Sequence, residues 1–148
     1  MPDFKKILIP IDFSENSPRL LQAAADVGKK LDCELCAVFV VQSFEDYSGF
    51  FVPHMPINQF EDEMVQSAEQ KMTSFLSENL PAGQKCGSEV IKGDVAEEIT
   101  RYAADKNISL IIMGTHGYKG LEKVLFGSVA EKVVKTAPCP VLTINPYQ

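Results

Sequence analysis

The sequence predicts an α/β protein with one doubly wound sheet of five parallel strands, in the order 3-2-1-4-5, and helices on both faces. Three observations predict it. Short apolar runs recur along the chain, segments with helical apolar spacing separate them, and two of the runs, Lys6–Ile11 and Leu110–Met113, are apolar almost without interruption. Strands alternating with helices point to parallel pairing through crossovers. A strand that is apolar throughout is one covered on both faces, so these two runs belong in the interior of the sheet. The right-handedness of crossovers leaves few other arrangements. A length of 148 residues suits a single domain over residues 1–148, large enough to hold a core without disulfides or a metal.

The elements follow in order. The first strand, Lys6-Ile7-Leu8-Ile9-Pro10-Ile11, stops at Asp12-Phe13-Ser14. Ser17-Pro18 has the pattern of an N-cap followed by a first helical residue, and Leu20, Leu21, Ala24, Gly28 and Leu31 then recur at helical spacing. Cys36–Val41 is the second strand. The stretch Gln42–Pro56, with Gly49, Pro53 and Pro56, is longer than an ordinary connection, and loops of that kind are often binding segments. If the chain responds to a ligand, this loop is the element expected to report it. Phe60, Met64, Ala68, Met72, Phe75 and Leu76 mark a long amphipathic helix that ends at Leu80-Pro81-Ala82-Gly83. Ser88–Lys92 is a weaker third strand. Asp94 and Glu97 have capping-box spacing and open a helix whose apolar face is Val95, Ile99, Tyr102 and Ala103. The fourth strand ends at Gly114. Ser128 and Glu131 give a second capping-box pattern for the last helix, Pro138-Cys139-Pro140 ends that helix, and Val141–Ile144 is the final strand, at the edge of the sheet.

Composition limits the function. Hydrophobic residues make up 45% of the chain, charged residues 23%, and the formal net charge is −6. Binding to a phosphate backbone depends on Lys and Arg, so an acidic chain without a basic block is not expected to bind nucleic acid. No apolar run reaches the ~20 residues of a membrane span, and the beginning of the sequence has no secretory apolar region. The expectation is a cytoplasmic protein with no membrane partner. Cys33 and Cys36 have the spacing of a redox or half-zinc motif, but they lie at the start of an apolar strand and no second pair follows. Without an electropositive helix start to form a thiolate, they read as buried or half-buried thiols, and no metal site is expected.

In an open parallel sheet, ligands bind beyond the carboxyl ends of the strands, where the strand order reverses. Here that point lies between the first and fourth strands, at Asp12 and Gly114. The segment from Gly114 to Ser128 leaves the fourth strand, carries glycines at 114, 117, 120 and 127, and ends at a helix start. Glycine leaves backbone open to close approach. A helix start offers N–H groups without intrahelical partners and roughly half a positive charge, which is an anion site. Each hydrogen bond to a charged group contributes about 1.5–3 kcal/mol, so a few such donors at Gly127, Ser128 and Val129 hold a triphosphate without arginine. The segment has no Gly-Lys-[Ser/Thr], and the glycines do not follow the first strand, so it is neither of the common phosphate-loop motifs.

The pattern Gly114-x2-Gly117-x9-Gly127-Ser128 resembles the ATP-binding signature of the universal stress protein family. The likeness extends to Lys5-Lys6-Ile7-Leu8-Ile9-Pro10-Ile11-Asp12-Phe13-Ser14, to Ile91-Lys92-Gly93-Asp94, to Ile111–Gly117 and to Pro140–Ile144, which together span nearly the whole chain. The resemblance implies an adenine-nucleotide-binding protein of the stress response, taking ATP, AMP or ADP, with or without Mg²⁺. It implies that Gly117, Gly127, Ser128 and Val129 hold phosphates, that Met113 and Gly114 lie by the ribose and α-phosphate, and that Pro10, Ile11 and Asp12 meet adenine and ribose. Val40 would meet the adenine edge through its backbone. Gln42 departs from the acidic residue expected after the second strand. A homodimer through Val141–Ile144 is implied as well, an apolar edge strand being a ready pairing surface.

His116 and His54 have no paired carboxylate in the sequence, and no nucleophile–base pair or acidic cluster stands near the glycines. Phosphoryl transfer needs charge positioned around the γ-phosphate. The expectation is binding, with at most slow ATP hydrolysis. The competing expectation, from a different class, is a dimeric interaction protein that binds no nucleotide and in which the glycines are structural.

Overall fold

The computed structural model describes residues 3–43, 57–115 and 127–145. Five strands, β1 (Lys6–Pro10), β2 (Glu34–Gln42), β3 (Cys86–Gly93), β4 (Leu110–Gly114) and β5 (Val141–Ile144), form one sheet in the order β3-β2-β1-β4-β5. Every pairing is parallel. Helices α1 (Ser17–Leu31), α2 (Ile57–Asn79), α3 (Val95–Asp105) and α4 (Ser128–Thr136) connect them. The predicted order holds, and β5 is an edge strand as expected.

Alternation along the central strands divides the core in two. Ile7, Ile9, Leu35, Ala37, Leu110 and Ile112 pack beneath α1 and α2 with Leu21, Ala24 and Met72. Leu8, Val38, Val40, Ile111 and Met113 pack on the other face with Ile99 and Ala103 of α3 and Ala130 and Val133 of α4. This is why β1 and β4 are apolar at consecutive positions: Ile7, Leu8, Ile9, Ile111 and Ile112 have no exposed surface at all. The outer strand β3 has helices over it less completely and keeps Ser88 and Glu89 exposed, which explains its weak sequence signal.

Two helix starts show how local chemistry sets the frame. Asp94 caps α3 as expected, in an extended conformation, with its side chain accepting from the Glu97 N–H at 3.1 Å. At α1 the expectation needs correcting by one residue. Asn16, not Ser17, holds the N-cap position, and it makes no side-chain cap. Ser17 is the first helical residue and 2% exposed, and its hydroxyl donates instead to Asp12 Oδ1 at 2.9 Å. An acceptor five residues upstream takes the hydroxyl that the cap would have used. At the same carboxyl end of the sheet, Glu61 near the start of α2 is buried, with the Ser43 hydroxyl donating to it at 3.4 Å and Lys92 Nζ at 4.0 Å, which ties α2 to the ends of β2 and β3.

All four cysteines are free and half-buried, as the sequence predicts. Cys36 Sγ lies 3.0 Å from the Tyr102 hydroxyl, and Cys33 donates to the Phe4 carbonyl. Burial pushes each thiol up from its ordinary value, Cys86 to about 11. At pH 8 that removes about 99% of the Cys86 thiolate present at an ordinary pKa of 9.0. The greater nucleophilicity of the more basic thiolate restores part of the rate. Cys86 should therefore react with iodoacetamide about tenfold more slowly in the native protein than after unfolding. The folded state holds the Cys86 proton more tightly, so stability is intact below pH 9 and falls as pH rises toward 11. Urea midpoints at pH 8 and pH 10.5 check this, with Cys86→Ala expected to reduce the difference.

Candidate nucleotide site

The predicted residues that the structure describes meet at one edge of the sheet. Pro10 pairs with Val38, and the Ile11 N–H donates to the Val38 carbonyl at 2.8 Å. Continuing that register by two residues sets Asp12 level with Val40. On the other side Leu8 pairs with Ile111, and the same continuation sets Pro10 level with Met113 and Ile11 level with Gly114. The carboxyl ends of β1, β2 and β4 thus bring Pro10, Ile11, Asp12, Val40, Met113 and Gly114 together. Ile11, Val40 and Met113 have their side chains in the core, 4%, 8% and 5% exposed. What they can offer a ligand is backbone. Gly117 lies outside the described residues, as do His116, His54 and residues 44–56 of the long loop.

The start of α4 is joined to this edge through Thr115, a residue the sequence reading passed over. Thr115 is 8% exposed. Its N–H donates to the Ile144 carbonyl at 3.0 Å, and its own carbonyl accepts the Gly127 N–H at 2.7 Å. One residue therefore joins β4, β5 and the first turn of α4. Gly127 has φ −65° and ψ 151°, which any residue adopts, so its glycine is not required by conformation. It is required by space: a Cβ on Gly127 would stand 2.9 Å from the Thr115 carbonyl oxygen. The sequence marks the glycine, but its reason lies in a contact twelve residues away.

The helix start itself departs from the expected capping box. Gly127 is the N-cap, and Ser128 is the first helical residue with no side-chain cap. Glu131 points its carboxylate to Lys135 at 2.9 Å, while its N–H makes the first intrahelical bond to the Gly127 carbonyl at 2.9 Å. The set of anion donors shifts accordingly. The Gly127 N–H is already used, and the N–H groups of Ser128, Val129 and Ala130 are the ones without intrahelical partners. Ser128 is exposed, and Gly127 and Val129 are half-buried. This end of α4 therefore places its donors and its positive dipole end near Gly114, through the Thr115–Gly127 bond.

Asp12 is held firmly. Its Oδ1 accepts from the Ser14 N–H and from the Ser17 hydroxyl, each at 2.9 Å, so it is a turn residue at the start of α1. Among the described residues its Oδ2 accepts no hydrogen bond, which leaves one oxygen for a ligand hydroxyl. Phe13, between Asp12 and Ser14, has φ +59°. For an L-residue that costs about 1–2 kcal/mol. Its ring packs against Phe39 with centroids 4.8 Å apart and edge-on to Phe75 at 5.9 Å. Two aromatic pairs at about 0.5–1.5 kcal/mol each are of the size needed to offset the strain. Among the described residues no three His, Cys, Asp or Glu side chains gather in a way that could hold a metal ion, and no helix is long and apolar enough to cross a membrane.

Comparison with known proteins agrees with this architecture. The universal stress protein family model matches residues 3–145. Universal stress protein MJ0531 of Methanocaldococcus jannaschii is 38% identical, covering 96% of this chain and 82% of the relative. The solved structure of MJ0577, a universal stress protein of the same organism, superposes with a TM-score of 0.80 at 30% identity, over 97% of this chain and 96% of that one. A universal stress protein from Archaeoglobus fulgidus, in complex with dAMP, shares the fold with a TM-score of 0.67 at 19% identity, over 96% and 98% of the two chains. With a family match across nearly its whole length and a sheet in the same strand order, the chain belongs to the universal stress protein family.

Proposed function

We propose that the chain binds an adenine nucleotide, ATP foremost, as a cytoplasmic regulatory protein of the stress response. The phosphates sit on the Ser128, Val129 and Ala130 N–H groups with Gly127 and Gly117 beside them. The ribose meets the free Oδ2 of Asp12 and the backbone of Met113 and Gly114. Adenine lies against Pro10 and Ile11, with its edge toward the Val40 backbone. The observation that carries the reading is the close approach at Gly127: a position with no room for a Cβ beside Thr115, directly before three donors without intrahelical partners, at the strand edge where α/β sheets take ligands. The dAMP complex of the Archaeoglobus fulgidus protein supports the ligand class. AMP and ADP fit the same donors, and Mg²⁺ enters as the counter-ion of the phosphates. Backbone donors bind phosphate without supplying a positioned base, so the site favours retention over turnover.

Native mass spectrometry of freshly purified protein, followed by calorimetry with ATP, tests the reading. A nucleotide mass adduct and a saturable heat are expected. An unadducted mass together with no heat of binding would sink it and favour an interaction protein with structural glycines.

The same reading includes a homodimer. β5 is an edge strand and Leu142 on it is 42% exposed; a second copy pairing there covers both the free backbone groups and that side chain. Sedimentation should show a dimer at micromolar concentration, and Leu142→Glu should shift it toward monomer.

A further inference from the structure

We infer that Phe13 is a positioning residue of the nucleotide site, holding the Asp12 carboxylate for ribose through a left-handed backbone. This rests on the nucleotide reading above. Three non-glycine residues have positive φ among the described residues: Asp32 at +56°, Asn107 at +55° and Phe13 at +59°. Asp32 caps the end of α1 and Asn107 follows α3, and short polar side chains tolerate that region. Phe13 has no such excuse, since a bulky residue there is an outlier. It is the residue spanned by the hydrogen bond from the Ser14 N–H to Asp12 Oδ1. Its φ and ψ decide where that N–H points, and so which Asp12 oxygen is tied down and which is left for ligand. Rings of Phe39 on β2 and Phe75 on α2 hold it there. Backbone strain of this kind persists where the surroundings over-determine it, and such places cluster at ligand sites.

The test compares ATP with 2′,3′-dideoxy-ATP, which lacks both ribose hydroxyls, by calorimetry on the full chain. The unsubstituted protein should prefer ATP by about ten- to hundredfold, the size of a hydrogen bond to a charged group. In Phe13→Val the β-branched side chain disfavours positive φ, and the preference should collapse toward one with dideoxy-ATP affinity kept. Phe13→Gly adopts the same φ freely and should restore the preference despite losing both ring contacts. If Phe13→Val does not fold by circular dichroism, the equally β-branched Phe13→Thr takes its place. A Phe13→Val protein that keeps the full preference, or Val and Gly variants that lose both nucleotides equally, overturns the inference alone. An unsubstituted protein that binds neither nucleotide overturns the nucleotide reading, and the inference with it.

Discussion

Gly127→Val is expected to abolish measurable ATP binding while leaving the protein folded. The new Cβ would meet the Thr115 carbonyl oxygen at 2.9 Å, closer than carbon and oxygen tolerate. That carbonyl cannot retreat cheaply, because the Thr115 N–H is bonded to Ile144 and its carbonyl already holds the Gly127 N–H at 2.7 Å. Backbone conformation is not the obstacle, since φ −65° and ψ 151° suit valine. The displacement therefore falls on the first turn of α4 and swings away the Ser128, Val129 and Ala130 donors. Three hydrogen bonds to phosphate, each worth about 1.5–3 kcal/mol, amount to a loss of about a thousandfold or more in affinity. The overpacking itself costs about 1–3 kcal/mol of stability, well inside the usual 5–15 kcal/mol of a domain. Gly127→Ala, with the same Cβ and less bulk beyond it, should fall between. Titration calorimetry decides: an affinity within a few-fold of the unsubstituted protein would refute the placement of the phosphates.

What the sequence made legible, and what it hid, divides along one physical line. Strand order and core faces were readable because burial on both sides of β1 and β4 leaves runs such as Ile7-Leu8-Ile9 and Ile111-Ile112 with no polar position. The Asp94 cap was readable because its partner, the Glu97 N–H, is three residues away. The misread helix starts at Ser17 and Ser128 have a different cause. Both serines carry the residue type that caps prefer, but each sits one residue inside the helix. At Ser17 the hydroxyl is claimed by Asp12, and at Ser128 the cap position belongs to Gly127, where Thr115 leaves no room for a side chain. The expected site residues Pro10, Ile11, Asp12, Val40, Met113 and Gly114 come to one edge by strand register, which a parallel order already implies. The role of Thr115 was not readable, because its bonds to Gly127 and Ile144 join segments far apart in the chain. Nor does anything in the letters Asp-Phe-Ser announce a left-handed phenylalanine. That conformation depends on Phe39 and Phe75, both distant in sequence.

Ile111→Ala is expected to produce the largest loss of stability among these changes, and to leave the nucleotide site working. Ile111 is fully buried, the second residue of β4, packed with α3 and α4, and its backbone pairs β1 on one side and β5 on the other. Truncation to alanine removes its burial and leaves a cavity, at a cost of about 2–5 kcal/mol. For a chain of this length that lowers the melting temperature by roughly 4–20 °C. Gly114 and Thr115 stand at and just past the carboxyl end of the strand, where the Thr115 bonds to Ile144 and Gly127 hold them, and Met113, two positions along, offers a ligand only its backbone, which stays paired with β5. Ligand linkage then separates the two kinds of damage. ATP at a hundred times its dissociation constant stabilises the native state by about 2.7 kcal/mol, roughly 5–11 °C. That increment should survive in Ile111→Ala, raising a lowered melting temperature by the same amount as in the unsubstituted protein. In Gly127→Val it should vanish, although that variant starts from a smaller loss. Thermal melts of the three proteins with and without ATP give three increments, one for each protein. An ATP increment lost in Ile111→Ala but kept in Gly127→Val would place the ligand in the core-coupled half of the sheet and away from the start of α4.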